Sequence, residues 1–283
     1  MRQHQVLYWF RPQAKRRRAG ALPIGGERED EMIPIDLSGR AALVTGGGRG
    51  IGRAIALKLA QAGADVMVTA RTEEQLQETV RGVRALGRKG ALLAGDAALA
   101  ETAEAAVERA VAELGGLDIL VNNAGMEMMK PLLDATPADF DRVMEVNVKS
   151  MMLFTQAAGR RMIEHKSGRI VNLASTGSFI AGPNQSLYHA SKAACAHFTR
   201  AMAIEWARHN ITVNAVAPGW INTDLIAHLT SDQEKLANYV KNIPMRRLGE
   251  PAEVASVVLF LCSDLAAYMT GSIVIVDGGL MIP

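Results

Sequence analysis

Thr45-Gly-Gly-Gly-Arg-Gly-Ile-Gly52 stands between an apolar run, Ala41–Thr45, and a helix-period stretch, Ile51–Ala62, that ends at Gly63. A strand, a glycine-dense turn and a helix, in that order, decide the fold class. Glycines at 46, 50 and 52 let the backbone turn tightly and let a pyrophosphate approach the N–H groups of the helix N-terminus. The spacing is Gly-x-x-x-Gly-x-Gly and not the commoner Gly-x-Gly-x-x-Gly. A purely structural turn can also be rich in glycine, but the strand-to-helix junction favours a nucleotide site.

The alternation continues outward from this point. Val66–Ala70, Ala91–Ala94 and Ile119–Val121 read as strands, separated by helices from about Glu73 to Leu86 and up to Leu114. The fourth strand leads into Asn122-Asn-Ala-Gly125. One long helical region runs from about Pro137 to Glu164, and a strand, Arg169–Leu173, leads to Ser175. A helix carrying Tyr188 and Lys192 continues to about His209, followed by a strand, Ile211–Val216, closed by Pro218-Gly219. Residues 220–248 are polar and less regular, before a helix, Pro251–Cys262, and a last strand, Ile273–Val276. Strands joined through helices predict an α/β Rossmann fold. Its doubly wound parallel sheet would have helices on both faces and a ligand crevice at the strands' carboxyl ends. No linker divides residues 35–283, which read as one domain, with residues 1–34 as a disordered or loosely attached basic extension.

Composition narrows the function classes. The 283 residues are 49% hydrophobic and 21% charged, an ordinary globular balance. No apolar stretch approaches the ~20 residues that span a bilayer, so no membrane partner is expected. Residues 1–31 hold seven basic and four acidic side chains, leaving 24 basic against 25 acidic in the remainder. The body is electrically balanced, and nucleic acid is not an expected partner. The basic arm lacks the apolar core of a signal peptide, and Met32-Ile-Pro-Ile reads like a natural start. Cys195 and Cys262 have no metal-binding spacing; they read as buried structural thiols in a cytoplasmic protein, with no metal site.

Tyr188-His-Ala-Ser-Lys192 carries the chemistry. A tyrosine and a lysine four apart lie on one helix face. A free phenol titrates near ~10, and an ammonium beside it favours the phenolate. Such a pair can handle a proton at neutral pH. Ser175, thirteen residues upstream, offers a hydroxyl to hold a reacting oxygen. A Tyr-x-x-x-Lys by itself recurs by chance, so its weight comes from what surrounds it.

Thr45–Gly52, Asp96 after the third strand, Asn122–Gly125, Asn147, Ser175, Tyr188 with Lys192, and Pro218-Gly219 occur in order. In this set the chain resembles the short-chain dehydrogenase/reductase family, from about Leu37 to the C-terminus. The resemblance implies that Tyr188 is the acid/base and that Ser175 positions the substrate oxygen. Lys192 would bind the nicotinamide ribose and assist Tyr188, and Asn147 would hold a water relaying protons through Lys192. It places the cofactor on Thr45, Gly46, Gly48, Arg49, Gly50, Ile51, Gly52, Arg71, Asp96, Ala97, Asn123, Ala124, Gly125, Tyr188, Lys192, Pro218, Gly219, Ile221 and Thr223. It also implies a homotetramer or dimer built on the two long helices, with Leu280-Met-Ile-Pro283 buried against a partner.

The position that carries an acid in NAD sites is Ala70, followed by Arg71, and Arg49 sits in the glycine loop. Two guanidiniums suit a 2′-phosphate, so the expected cofactor is NADP(H). The expected reaction interconverts a secondary alcohol and a ketone. Met126–Met129, Thr176–Ile180, Gly182–Gln185 and Trp220–Met245 are expected to line the substrate pocket, with methionines and Phe179 as an adaptable apolar wall. Glu127, Asn184, Gln185 and His189 are candidate hydroxyl-binding groups. The texture resembles 3-oxoacyl-carrier-protein reductases, which often have arginine where Ile204 stands before Glu205; Arg160 and Arg161 remain as contacts for an acidic carrier. Lys130–Leu133 and Arg200–Trp206 are more similar to gluconate 5-dehydrogenase-like sugar-acid reductases. The expected substrate is therefore a sugar acid, a polyol or another small ketone, with the acyl-carrier substrate as the alternative. A non-catalytic NADP-binding sensor or scaffold is the reading from a different class.

Overall fold

A computed structural model describes residues 35–226 and 233–282; the basic extension lies outside the described residues. Seven parallel strands form one sheet in the order β3-β2-β1-β4-β5-β6-β7. They are β1 (Ala41–Thr45), β2 (Asp65–Ala70), β3 (Gly90–Ala94), β4 (Ile119–Asn122), β5 (Gly168–Leu173), β6 (Ile211–Pro218) and β7 (Ile273–Val276). Strand order reverses between β1 and β4. That switch point opens the crevice that a doubly wound sheet offers to ligands.

Alternate side chains on each strand serve opposite layers, as the two-residue period requires. Ala42 and Val44 of β1 join Val66 and Val68 of β2 in one core with Ile55 and Leu59 of α1 (Gly50–Gln61). Leu76 and Val80 of α2 (Glu73–Ala85) and Val254 and Val258 of a late helix, Pro251–Cys262, complete it. Leu43 and Met67, the intervening residues, face the second core. There they meet Ala106 and Val107 of α3 (Ala100–Leu114), Phe154 and Met162 of α5 (Ser150–His165), and Met202 of α6 (Ser186–Trp206). Both sheet faces are covered, which is why the strands read as nearly continuous apolar runs.

Two regions depart from the expected elements. The long helix is interrupted: α4 (Pro137–Met144) passes through one π-helical turn, Glu145–Lys149, before α5 begins. A π-helical stretch of this kind is rare and only one turn long, too short to show in the periodicity of the sequence. The polar stretch after β6 contains α7 (Gln233–Val240), followed by α8, the Pro251–Cys262 helix.

A buried polar chain ties the middle of the sheet to the helices behind it. The Asn122 amide donates to Asn172 Oδ1 at 2.8 Å and to Thr155 Oγ1 at 3.0 Å, and the Asn172 amide donates to Thr199 Oγ1 at 2.9 Å. The first asparagine of Asn122–Gly125 is thus a strut between β4, β5, α5 and α6. Cys195 and Cys262 are free, buried thiols, and burial pushes Cys262 up to about 12, so both are packing groups.

Candidate active site

One cavity of about 590 Å³ opens along the carboxyl ends of the strands. The glycine loop forms one wall. Gly46 and Gly50 adopt φ of +65° and +52°, a region side chains rarely enter. A Cβ on Gly52 would lie 2.2 Å from the Gly46 carbonyl oxygen and 2.4 Å from Asn123 Nδ2. Only hydrogen fits there. Arg49, the residue before α1, is extended and offers no side-chain cap, and the first turn of α1 holds no acidic residue. The N–H groups of that turn are left for an anion, which also gains from the helix dipole.

Thr45 is the one predicted cofactor residue that does not line the cavity. It is buried, and its hydroxyl accepts from the backbone N–H groups of Asn123 and Ala124 at 3.0 and 2.9 Å. Asn123 returns the tie, its amide donating to the carbonyls of Thr45 and Gly46 at 3.0 and 3.2 Å. These bonds lock the end of β1 to the end of β4 and fix the loop's curvature. The other predicted cofactor positions all border the cavity.

Arg71 is exposed at the cavity edge, while Arg49 pairs with Asp224 at 3.4 Å in an exposed contact. Asp96 accepts from the Ala98 N–H at 3.0 Å, and that bond is the chief reason its carboxyl titrates below its ordinary value, with Arg142 and Arg71 adding to it. Arg142, 3.4 Å from Asp96, also lines the cavity; its place on α4, forty-six residues downstream, gave no sequence signal.

Ser175, Tyr188 and Lys192 border the same cavity. Ser175 stands just past β5 with its Oγ accepting the Gly177 N–H at 3.0 Å. Tyr188 and Lys192 share one face of α6, with Lys192 Nζ 6.0 Å from the phenol ring centroid. The lysine is buried, and its ammonium donates to the Leu173 carbonyl at 2.8 Å. Asn147 sits on the π-helical turn and does not line the cavity. Its Oδ1 accepts the Met126 N–H at 2.7 Å, while its amide donates to Met126 O and to Ser191 Oγ, each at 2.9 Å. The side chain is thereby committed to holding the segment after Gly125 against α6.

The substrate wall differs from the sequence expectation. Of the expected methionines near Gly125 only Met126 lines the cavity; Met129 and Phe179 are exposed. Asn184 lies outside the lining; its backbone carbonyl accepts the Lys130 N–H at 2.6 Å. Glu127, Gln185 and His189 do line it, and Gln185 donates to the Glu127 carboxylate. Leu280 also borders the cavity, so the C-terminal segment contributes to this chain's own site. Arg160 and Arg161 are exposed on α5 and border no part of the cavity.

The comparisons with known proteins agree with this geometry. The family described as Enoyl-(Acyl carrier protein) reductase matches residues 46–281. The 3-oxoacyl-(acyl-carrier-protein) reductase of Aquifex aeolicus is 42% identical over 254 residues, covering 88% of this chain and 100% of that protein. Galactitol 2-dehydrogenase of Rhizobium johnstonii is 43% identical over 250 residues, covering 86% and 95%. Among solved structures, a gluconate 5-dehydrogenase from Burkholderia cenocepacia in complex with NADP and tartrate superposes with a TM-score of 0.84 at 36% identity, covering 88% of this chain and 98% of that one. The chain belongs to the short-chain dehydrogenase/reductase family.

Proposed function

We propose that this chain is an NADP(H)-dependent oxidoreductase interconverting a secondary alcohol and a ketone, acting on a sugar acid, a polyol or another small ketone. One observation carries the reading: a loop that admits only glycine at position 52 and the Ser175, Tyr188, Lys192 set border a single cavity. The relatives that act on galactitol and on gluconate, and the neighbour solved with NADP, support it.

The residues present fit the cofactor. Gly46, Gly48, Gly50, Ile51 and Gly52 would hold the pyrophosphate at the N-terminus of α1, and Arg49 and Arg71 the 2′-phosphate. Asp96, Asn123, Ala124 and Gly125 would border the adenosine and ribose, Pro218, Gly219, Ile221 and Thr223 the nicotinamide side. When bound, the reduced nicotinamide supplies the hydride. Tyr188 gives its phenolic proton to the carbonyl oxygen in the reducing direction and takes it back in the oxidising one. Ser175 donates a hydrogen bond to that oxygen and fixes it against the phenol. The Lys192 ammonium adds positive charge beside the phenol and positions the ribose. Asn147 keeps Met126 and Ser191, and through them both walls of the site, in register.

Arg71→Ser removes one guanidinium from the 2′-phosphate site. We expect it to lower kcat/KM for NADPH by about tenfold, the loss of a charge-assisted hydrogen bond, with little change for NADH. Steady-state kinetics with both nucleotides checks this, and an unchanged ratio would remove Arg71 from the assignment.

A carbonyl panel with NADPH, spanning ketohexoses, 5-keto-D-gluconate, diketones and acetoacetyl thioesters, tests the function. Oxidation of NADPH with any of them supports an enzyme; binding without turnover across the panel favours a sensor or scaffold. Arg160 and Arg161, the contacts expected for an acidic carrier, are exposed on α5 with Arg160 3.7 Å from Glu104, and the acetoacetyl thioesters of the panel test the acyl-carrier alternative. We further propose residues 35–283 as the catalytic domain, a homotetrameric or dimeric state, and a cytoplasmic location. Among the described residues no helix is long and apolar enough to cross a membrane.

A further inference from the structure

His189 follows Tyr188 on α6, and its side chain lines the cavity beside Ser175. The chain just past Ser175 makes a short turn. Ser175 Oγ accepts the Gly177 N–H at 3.0 Å, and the N–H groups of Ser178 and Phe179 donate back to the carbonyls of Ser175 and Thr176. Ser178 pins this turn to α6, its hydroxyl donating to the Lys192 carbonyl at 2.7 Å. The wall that carries Ser175 and His189 is therefore held in place by the chain's own bonds.

Glycine at position 177 is what admits the imidazole. A Cβ there would lie 2.5 Å from His189 Cδ2, 3.0 Å from His189 Nε2 and 3.4 Å from Ser175 Oγ. The ring nitrogen and the serine hydroxyl thus flank one point, and only a residue without a side chain lets them do so. The ring stands next to the phenol of Tyr188, the two centroids 5.8 Å apart. Its other edge turns to Gly182, whose N–H donates a long bond to Nδ1 at 3.4 Å. Nδ1 as acceptor leaves the ring proton on Nε2, and burial lowers the ring's pKa and favours the neutral form. Among the described residues no group accepts from Nε2. A carbonyl oxygen has two lone pairs, and on the reacting oxygen Ser175 and the Tyr188 proton take both. A third donor on the same wall therefore needs a second oxygen. One on the carbon next to the reacting carbon is within hydrogen-bond reach of Nε2.

We propose that His189 is a specificity residue whose Nε2–H binds a hydroxyl or carbonyl oxygen on the carbon adjacent to the reacting one. The preferred substrates are then α-hydroxyketones, vicinal diketones and the matching vicinal diols, over ketones that carry no neighbouring oxygen. This rests on the oxidoreductase reading above and narrows its substrate class. Ketoses and keto sugar acids qualify; a 3-oxoacyl thioester, with no oxygen on either carbon beside its ketone, does not.

The test measures kcat/KM with NADPH in the wild-type chain, His189→Phe and His189→Gln. One set of substrates carries the adjacent oxygen: 3-hydroxy-2-butanone, 2,3-butanedione, L-sorbose and 5-keto-D-gluconate. The other lacks it: 3-methyl-2-butanone, where a methyl group replaces the hydroxyl, and an acetoacetyl thioester. In the wild type the best of the first set should exceed the best of the second by about tenfold or more. His189→Phe keeps a planar ring and removes the donor, so it should lower that ratio about tenfold, the loss of one hydrogen bond. His189→Gln returns an N–H near the place of Nε2 and should hold the ratio within about threefold of wild type. NADPH binding, measured by fluorescence, should stay within about twofold of wild type in both variants and reports an intact fold. A best substrate without the adjacent oxygen, or a ratio in His189→Phe within about threefold of wild type, overturns the proposal and leaves the oxidoreductase standing. So does a ratio in His189→Gln as low as that in His189→Phe, or a weakening of NADPH binding in both. No turnover of any carbonyl brings down both readings.

Discussion

Tyr188→Phe is expected to lower kcat by about 10³-fold or more while leaving the dissociation constant for NADPH within about twofold of wild type. The substitution keeps the ring, so its tilted contact with His189 and its seat on α6 survive. What it removes is the phenolic hydroxyl one turn before Lys192 on α6, at the border of the cavity. Positioned acid–base groups contribute about 10²–10⁴-fold to rate, and here no neighbour can replace the proton. Ser175 already accepts from the Gly177 N–H. His189, kept neutral by burial, lies on the adjacent position of the helix and is turned toward Gly182. Paired kinetic and fluorescence-titration measurements check the split. A variant with wild-type turnover would show that the proton is handled elsewhere.

Gly52→Ala is expected to abolish measurable nucleotide binding and to reduce stability by about 3 kcal/mol. The added methyl would sit 2.2 Å from the Gly46 carbonyl oxygen and 2.8 Å from its carbon, both backbone atoms that cannot rotate away. Relief requires α1 to move from the loop or Asn123 to give up its bonds to Thr45 and Gly46. Either movement destroys the cradle, and overpacking of this kind typically costs ~1–3 kcal/mol. The contrast is Gly87→Ala, where a Cβ meets nothing within 4 Å: its strain is local to a φ of +75° in a turn remote from the cavity. Denaturant unfolding and NADPH titration of both variants distinguish the two effects. Gly52→Ala with wild-type nucleotide affinity would contradict the cradle.

The sequence revealed those parts of the molecule whose residue type and burial are forced together. Apolar runs on doubly covered strands, and glycines where only hydrogen fits, are visible without coordinates because few alternatives satisfy the same sterics. Strand and helix assignments therefore agree with the observed elements to within a residue or two along most of the sheet. Hydrogen-bond partners are another matter. Thr45 and Asn147 read as groups facing a ligand, yet their side chains bond the backbone of residues 123–126, more than twenty positions away. Asn122 and Asn172, fifty residues apart, meet only because β4 and β5 are neighbours in register. The π-helical turn at Glu145–Lys149 was invisible because it is one turn long, shorter than the window that a helical period needs. The expected methionine wall shows the same limit: Met126 faces the cavity and Met129 does not, a difference of backbone direction in a loop with no period to read.

The central claim is that Tyr188 handles the proton while a hydride passes between nicotinamide and carbonyl carbon within this cavity. The most direct measurement reduces an active ketone from the panel with NADPH carrying deuterium at the transferable position of the ring. Mass spectrometry and NMR then examine the alcohol formed. The account predicts one deuterium on the carbinol carbon, none on the oxygen or adjacent carbons, and loss of labelled product in Tyr188→Phe. Product without deuterium at that carbon, or labelled product formed equally fast by Tyr188→Phe, would contradict it.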